Sequence, residues 1–201
     1  MYVAFEGPIG AGKTTLATML AEEIGQGAQL VLEDFQGNSF LENFYSDRER
    51  WALPMQLEFL VSRYEQVSKL NLSRSTVTVS DYSFEKDALF ANLLLRGREL
   101  DLYNRIASRL TKTRPRPDLI VYLGVDASVL LARIEQRDRS YEASINAEYL
   151  EALDRAYKSH LSMLSDSTVL MIENTANLTS VEMRRKTIPK VLKAVREAME
   201  V

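Results

Sequence analysis

The chain has 201 residues, enough for one domain with a sizeable core, and its 46% hydrophobic and 26% charged content is ordinary for a globular protein. A net charge of -3 gives no electrostatic reason to expect a nucleic-acid partner. Cysteine is absent and His160 is the only histidine, a surface or packed structural residue in our interpretation. This composition excludes a thiol nucleophile, a cysteine-ligated zinc and a histidine-centred triad.

The sequence also lacks any apolar run of the length needed to span a bilayer. Met1 leads directly into the first predicted strand, which leaves no room for a removable leader. We therefore expect no membrane partner and a cytoplasmic location.

Strand-like runs alternate with helical patterns along the whole chain. Strands are predicted at Tyr2–Phe5, Gln29–Glu33, Thr76–Ser80, Leu119–Leu123 and Val169–Ile172. Helices are predicted at Thr14–Gly25, Arg48–Leu72, Phe84–Leu95, Leu100–Lys112, Ala127–Gln136, Ala147–Leu164 and Ser180–Glu200. This alternation predicts an α/β fold with a five-stranded parallel sheet and helices on both faces. With no linker and no repeat, we expect residues 1–201 to form a single domain.

The first strand runs into a phosphate-binding loop with the pattern G-x-x-x-x-G-K-T. Such a loop cradles phosphate oxygens with its backbone, and a strand, a glycine-rich turn and a helix are the context that it requires. Lys13 can reach the outer phosphates, and the Thr14 hydroxyl can hold Mg²⁺. A chance glycine-rich turn explains this context less well. The predicted nucleotide-binding residues are Gly7, Pro8, Ile9, Gly10, Ala11, Gly12, Lys13 and Thr14.

Two carboxylates stand at predicted strand ends, where ligands of open parallel sheets bind. Glu33 ends the second strand, and we predict that it is the base that accepts a hydroxyl proton. Its alternative roles are a helix cap or a solvated carboxylate. Asp81 follows the third strand and can ligate Mg²⁺ or cap the next helix, and both roles stay open.

Three arginines, Arg133, Arg137 and Arg139, lie at close spacing at the end of the helix predicted at Ala127–Gln136 and just after it. Next to a phosphate loop, we interpret them as an arginine-rich lid at about residues 133–145 that covers the transferring phosphate. The interleaved acidic residues leave a solvated surface helix as the alternative.

Polar residues also interrupt the apolar face of a long predicted helix. Gln56 and Arg63 lie two turns apart on the face that carries Phe59 and Leu60. Buried polar groups need partners, and a nucleobase offers several. The lengths of the Arg48–Leu72 and Phe84–Lys112 stretches suggest surface for a second copy of the chain, with packing inside one copy as the alternative.

With these residues in place, the chain resembles the deoxynucleoside kinase family, whose P-loop kinase fold moves the γ-phosphate of ATP, with Mg²⁺, to the 5′-hydroxyl of a deoxynucleoside. The resemblance covers nearly the whole chain. It rests on the phosphate loop, Glu33, Phe44-Tyr45, Gln56, Ser62-Arg63, Lys86-Asp87-Ala88-Leu89-Phe90-Ala91, the spacing of Arg133, Arg137, Arg139 and Glu142, and Glu148-Tyr149-Leu150.

The resemblance implies a role for each matching residue. Glu33 takes the hydroxyl proton, with Lys13 and Arg137 as its catalytic partners. Tyr45 and Glu142 hold the 3′-hydroxyl of the sugar. Gln56 contacts the base, flanked by Arg63 and Asp87. Phe90, Phe44 and Met55 line the base slot. Arg133 stacks near the donor base, Arg137 and Arg139 contact the donor phosphates, and a homodimer is implied.

One position departs from the family. The family has an arginine after the third strand that contacts phosphate and organises the base, whereas this sequence has Tyr82. A nearby cation, Lys86 or Arg63, compensates, or the chemistry depends more on the lid, and the sequence leaves both alternatives open.

The Arg63 and Asp87 pair also bears on the choice of base. A carboxylate accepts from an exocyclic amine, which thymine lacks, so we expect deoxyadenosine, deoxyguanosine or deoxycytidine in preference to thymidine. Such a reaction serves nucleotide salvage. The alternative enzyme is a nucleoside monophosphate kinase of the thymidylate type. A nucleotide-binding regulatory module explains the phosphate loop and Asp81 but leaves Glu33, Gln56 and the lid spacing without a role.

Overall fold

The structure is a computed structural model that describes residues 1–70, 76–110, 114–173 and 180–199. Its strands are β1 (Tyr2–Glu6), β2 (Ala28–Val31), β3 (Val77–Ser80), β4 (Leu119–Gly124) and β5 (Thr168–Glu173). Its α-helices are α1 (Lys13–Ile24), α2 (Leu41–Ser46), α3 (Arg48–Ser68), α4 (Glu85–Leu94), α5 (Gly97–Leu110), α6 (Ala127–Gln136), α7 (Ala147–Ser162) and α8 (Ser180–Met199).

The strands form one parallel sheet in the order β2-β3-β1-β4-β5, which confirms the predicted five-stranded parallel sheet. β4 is buried along its whole length, because helices cover both faces of the sheet. Its side chains alternate between two cores. Leu119, Val121 and Leu123 pack towards α1 and α8, whereas Ile120 and Tyr122 pack towards α4 and α7.

A third apolar cluster joins α2, α3, α4 and α5 beside the sheet. It contains Phe44, Met55, Phe59 and Leu60, all of which are buried. This cluster fixes α3 across the carboxyl end of the sheet, so that the face bearing Gln56 and Arg63 is buried as well. Much of the length of α3 is therefore packed against other elements of the same copy of the chain.

The second strand is shorter than predicted. We expected Glu33 to end it, but β2 ends at Val31 and Glu33 lies in the loop beyond. The physical reason is that the backbone N–H of Glu33 donates to the carboxylate of Asp81 at 2.7 Å, so that a side chain replaces the neighbouring strand as its acceptor. The loop turns away from the sheet at this bond.

One helix was missed by the sequence analysis: α2 was not predicted, and it carries Phe44 and Tyr45. The two helices predicted at Phe84–Leu95 and Leu100–Lys112 correspond to α4 and α5, although α5 begins earlier than predicted, at Gly97, which has a positive φ of 50°. The predicted helix ends at Leu72, Lys112 and Glu200 lie outside the described residues. Within the described ranges, no helix is long and apolar enough to cross a membrane.

The phosphate loop leaves β1 through a residue that has no room for a side chain. Gly7 has a φ of 147°, and a Cβ atom built on it would lie 2.7 Å from the carbonyl oxygen of Leu123 in β4. Close approach to backbone cannot be relieved by a rotamer change. The absence of a side chain at Gly7 therefore sets the distance between the loop and β4.

Replacing Gly7 with alanine should lower the free energy of unfolding by roughly 1–3 kcal/mol, because the new methyl group meets backbone in a conformation that disfavours it. Urea or thermal unfolding measures the change. Gly27→Ala is the control, since the nearest atom to its added Cβ is 3.8 Å away. Equal stability of the two variants would contradict this account of the loop.

Candidate active site

A cleft at the carboxyl ends of β1, β2 and β3 brings most of the predicted site residues together. Its floor is the phosphate loop, and its walls come from α3, α4, the arginine-rich segment (residues 133–145) and α7. Among its lining residues are the predicted Ile9, Gly10, Lys13, Thr14, Glu33, Phe44, Tyr45, Met55, Gln56, Arg63, Asp81, Phe90, Arg137, Arg139 and Glu142. The geometry therefore matches the predicted grouping, while the role of each residue stays a prediction.

The phosphate loop is held open by its own backbone. Gly10 and Gly12 both adopt positive φ values, 85° and 93°, which glycine reaches without strain. The Nζ of Lys13 donates to the carbonyls of Gly7 at 2.8 Å and Pro8 at 3.0 Å. Burial, with the nearby ammonium of Lys86, lowers the pKa of Lys13 to about 8. An anion in the loop would relieve that unfavourable environment.

Asp81 connects the loop with the opposite wall of the cleft. One carboxylate oxygen accepts from the hydroxyl of Thr14 at 2.5 Å, and the other accepts from the backbone of Glu33. A hydroxyl and a carboxylate beside a phosphate loop fit Mg²⁺, which commonly takes few protein ligands and completes its shell with phosphate and water. Among the described residues, no cluster of three or more His, Asp or Glu could hold a metal alone.

Next to Asp81 lies a network of buried charges. Glu33 pairs with Lys86 at 2.6 Å and with Arg63 at 2.5 Å, and Arg63 pairs in turn with Asp87. All four side chains are at least 87% buried. Arg63 also lies over the ring of Phe59, with its guanidinium carbon 4.4 Å from the centroid. The network holds α3, α4 and the loop after β2 in one arrangement.

The pKa values of the two carboxylates of this network, Glu33 and Asp87, are shifted in opposite directions. Burial alone would raise the pKa of Glu33, but the charges of Lys86 and Arg63 outweigh it and hold that pKa well below its usual range. Burial raises the pKa of Asp87 to about 6, although Arg63 opposes the shift. Glu33 is therefore ionised at neutral pH and can accept a hydrogen bond from a hydroxyl.

Asp87 itself does not line the cleft. One of its oxygens accepts from Arg63, and the other is buried without a hydrogen-bond partner. The residue is among those that line a separate cavity, together with residues of α4 and α5. Gln56, by contrast, lines the cleft and is 1% exposed, and its Nε2 has no hydrogen-bond partner. The amide of Gln56 and the guanidinium of Arg63 are therefore the polar groups presented to a ligand.

Glu142 holds the arginine-rich segment together internally, and aromatic contacts join the segment to the rest of the cleft. Arg137 donates to this carboxylate at 2.7 Å, and Arg139 lies 3.5 Å from its other oxygen. Arg139 also lies over the ring of Phe35, 4.2 Å from the centroid. Tyr45, the other predicted sugar contact, lies beside Tyr141 with ring centroids 5.7 Å apart.

Arg133 contacts the phosphate loop, and its place near the donor base stays a prediction. Its Nη1 donates to the carbonyls of Gly10 at 3.3 Å and Ala11 at 3.4 Å, and it does not line the cleft. It is the last-turn arginine of α6, so its side chain reaches back to the phosphate loop.

Tyr82, where the sequence departs from the family, is fully buried and points away from the cleft. Its hydroxyl donates to the side chain of Gln66 at 2.9 Å. Lys86, one turn further along the chain, does line the cleft, as do residues that the sequence analysis did not assign: Phe35, Leu41, Phe59, Leu94, Tyr141 and Tyr149. The sequence did offer a signal for two of them. Tyr141 stands next to Glu142, and Tyr149 lies in the matching segment at the start of α7.

Comparison with known proteins identifies the class. The deoxynucleoside kinase family model matches residues 3–198. Deoxyguanosine kinase of Bacillus subtilis (strain 168) is 35% identical over 179 residues, which cover 86% of either chain. Deoxyadenosine kinase of Dictyostelium discoideum is 32% identical over 169 residues, which cover 82% of this chain and 68% of its own. A solved structure of deoxyadenosine kinase from M. mycoides with bound dATP shares the fold, with a TM-score of 0.79 at 22% identity over 98% of this chain and 99% of that one.

The chain therefore belongs to the deoxynucleoside kinase family. Its P-loop kinase fold and its enzyme class, an ATP-dependent deoxynucleoside kinase, are confirmed as predicted.

Proposed function

We propose that this enzyme transfers the γ-phosphate of ATP to the 5′-hydroxyl of a deoxynucleoside whose base carries an exocyclic amine, in a salvage reaction. Deoxyadenosine, deoxyguanosine and deoxycytidine are favoured over thymidine. The observation that carries this proposal is the buried Nε2 of Gln56, which has no hydrogen-bond partner and lies with Arg63 in the lining of the cleft that also contains Lys13 and Thr14 of the phosphate loop.

The base preference follows from hydrogen-bond matching. Leaving a buried amide without a partner costs free energy, and the edge of a base supplies the missing acceptor for Gln56. Asp87 keeps one oxygen free of hydrogen bonds, which can accept from an exocyclic amine once the carboxylate turns towards the cleft. Thymine has no amine for it. The names of the two relatives, a deoxyguanosine and a deoxyadenosine kinase, agree with this preference.

For the transfer itself, positioning matters more than strong proton abstraction. The transition state of phosphoryl transfer is loose, so the attacking hydroxyl needs orientation more than early deprotonation. The ionised Glu33 accepts the hydrogen bond of the 5′-hydroxyl, fixes its direction and receives its proton as the new bond to phosphorus forms. Lys13 holds the outer phosphates from the loop. Thr14 and Asp81 would hold Mg²⁺, which supplies positive charge to the phosphate oxygens when bound.

We further propose that Lys86 supplies the cation that Tyr82 lacks. Its ammonium group is 2.6 Å from Glu33 and close enough to Lys13 to contribute to the lowered pKa of Lys13. Two buried cations that face one cleft are relieved by an anion between them, which is where the transferring phosphoryl group passes.

The arginine-rich segment acts in this mechanism as the predicted lid. Arg137 and Arg139 exchange the carboxylate of Glu142 for the donor phosphates, and Arg137 neutralises charge that develops during transfer. Glu142, with Tyr45, then accepts the 3′-hydroxyl of the sugar. Arg133 holds the carbonyls of the phosphate loop, next to the proposed position of the donor base.

The alternative of a nucleoside monophosphate kinase needs cations for a second phosphate on the acceptor side. Of the cations of that wall, Arg63 is held between Glu33 and Asp87, and Lys86 is assigned to the transferring phosphoryl group in this mechanism, so that neither serves an acceptor phosphate. The single domain over residues 1–201, the homodimer and the cytoplasmic location stay predictions from the sequence. The exposed Val61 on α3 and Leu102 on α5 are consistent with a contact between copies.

The proposed function is tested by phosphoryl transfer from ATP and Mg²⁺ to a panel of acceptors. The panel holds the four deoxynucleosides, their ribose counterparts and the matching monophosphates. We expect turnover of the amine-bearing deoxynucleosides, with kcat/KM for thymidine lower by roughly 10²-fold or more. Turnover of monophosphates alone would reassign the acceptor, and preferred turnover of thymidine would contradict the base assignment.

Replacing Glu33 with glutamine should lower kcat by about 10²- to 10⁴-fold while the dissociation constant of the deoxynucleoside stays nearly unchanged. Glutamine keeps the shape of the side chain but cannot take the proton. Rapid-quench kinetics and equilibrium binding measure the two quantities, and a melting curve checks that the loss of both ion pairs leaves the variant folded. Glu58→Gln, at the edge of α3 and outside the cleft lining, is the control. An unchanged kcat would remove Glu33 from the mechanism.

Replacing Arg63 with methionine and Asp87 with alanine together should raise the ratio of kcat/KM for thymidine to that for the best deoxynucleoside, by about 10-fold or more. Removing both partners avoids an unpaired buried charge. The ratio is the readout, because loss of Arg63 also changes the surroundings of Glu33. Asp101→Ala with Arg105→Met, on the exposed side of α5, is the matched control. The pair has no part in base selection if the ratio does not move.

A further inference from the structure

We infer that Glu6 and Tyr157 are positioning residues, whose hydrogen bond joins the root of the phosphate loop to the wall of the base slot. The inference rests on the proposed placement of the base against Phe90. Neither residue lines the cleft, and neither touches a substrate in the mechanism above.

Glu6 is an unusual residue for its position. It is the last residue of β1, directly before Gly7, and it is 1% exposed. Val3 and Phe5, on the same strand, are buried and apolar. A buried carboxylate costs free energy unless it is hydrogen-bonded, and burial raises the pKa of Glu6. An apolar side chain would satisfy the core at lower cost, so the carboxylate needs another explanation.

The bonds of Glu6 supply that explanation. One oxygen accepts from the backbone N–H of Ser83 at 2.6 Å, and the other accepts from the hydroxyl of Tyr157 at 3.0 Å. Both oxygens act as acceptors, so the carboxyl group is hydrogen-bonded on both sides. Burial raises the pKa of Glu6, and the nearby ammonium groups of Lys86 and Lys13 oppose that shift.

These two bonds reach two walls of the cleft. Ser83 lies just before α4, the helix that carries Lys86 and Phe90. Tyr157 lies on α7, whose first half places Tyr149 in the cleft lining. The carboxylate of Glu6 therefore connects three parts of the site: the phosphate loop, the α4 wall of the base slot, and α7, the helix after the arginine-rich segment.

Tyr157 also sets the position of the base slot directly. Its ring packs edge-on against Phe90, with centroids 6.3 Å apart and planes at 83°. On its other side it packs against Tyr122, with centroids 5.6 Å apart. Without the bond to Glu6, the ring loses the contact that fixes its tip, and Phe90 loses a fixed neighbour. Small displacements of this kind are costly in an enzyme that acts by alignment.

The test is Tyr157→Phe, which keeps the ring and removes the bond, with Tyr122→Phe as the matched control. The hydroxyl of Tyr122 donates to Asp154, away from the cleft, so its loss removes a tyrosine hydrogen bond from the adjacent ring without touching Glu6. The kinetics use whichever deoxynucleoside the wild-type enzyme turns over best. A wrong base assignment therefore leaves the result readable.

We expect Tyr157→Phe to raise KM for both ATP and the deoxynucleoside by roughly 5- to 10-fold, the size of one lost buried hydrogen bond, and Tyr122→Phe to change neither. Glu6→Gln should raise the same two constants, and the double variant should be no worse than the more severe single variant, because both act through one bond. Glu6→Gln also serves if Tyr157→Phe does not fold.

Three results would overturn the inference. If Tyr157→Phe keeps both KM values and loses only kcat and melting temperature, the bond is structural, because the folded fraction then works normally. If KM rises for the deoxynucleoside alone, or if the effects of Glu6→Gln and Tyr157→Phe simply add, the two residues do not connect the phosphate loop to the base slot.

Discussion

The mutual neutralisation of Glu33, Arg63, Lys86 and Asp87 is the interaction on which the cleft depends. None of these charges could leave water alone, because an unpaired buried charge destabilises a protein by about 3–5 kcal/mol. Together they form a chain of ion pairs from the loop after β2 through α3 to α4. The elements that line the cleft are therefore held to one another by the same groups that are proposed to perform the chemistry.

This dual use explains an apparent contradiction in Glu33. A general base is usually poised near the working pH, whereas the partners of Glu33 hold its pKa far below that range. Phosphoryl transfer tolerates a weak base, because the bond between the phosphoryl group and the donor is largely broken before the attacking hydroxyl must lose its proton. A carboxylate fixed by two cations gives precise direction to the hydroxyl, and that is the contribution which a loose transition state needs.

The sequence was sufficient for features that repeat or that follow a backbone rule. The strand and helix alternation predicted the parallel sheet, and the spacing of the phosphate loop predicted its place after β1. Interactions between distant side chains carry no such pattern. The bond from Glu33 to Asp81, which ends β2 early, is one example. The buried run Glu85-Lys86-Asp87 is another, because three successive charged residues at a helix start normally indicate exposure. The partners of Glu33, Glu85 and Lys86 in these bonds are distant in the sequence, so they could not be predicted from a local pattern, whereas the Arg63–Asp87 pair was expected from the family resemblance.

Glu142 holds both Arg137 and Arg139, and it is only 4% exposed. In the proposed mechanism, a triphosphate that attracts the two arginines leaves this buried carboxylate without donors. A sugar hydroxyl that reaches Glu142 before the triphosphate binds must in turn compete with the two arginines for the same carboxylate. Binding of either ligand therefore favours binding of the other. In this way the segment acts as a coincidence detector, which is most stable when donor and acceptor are bound together.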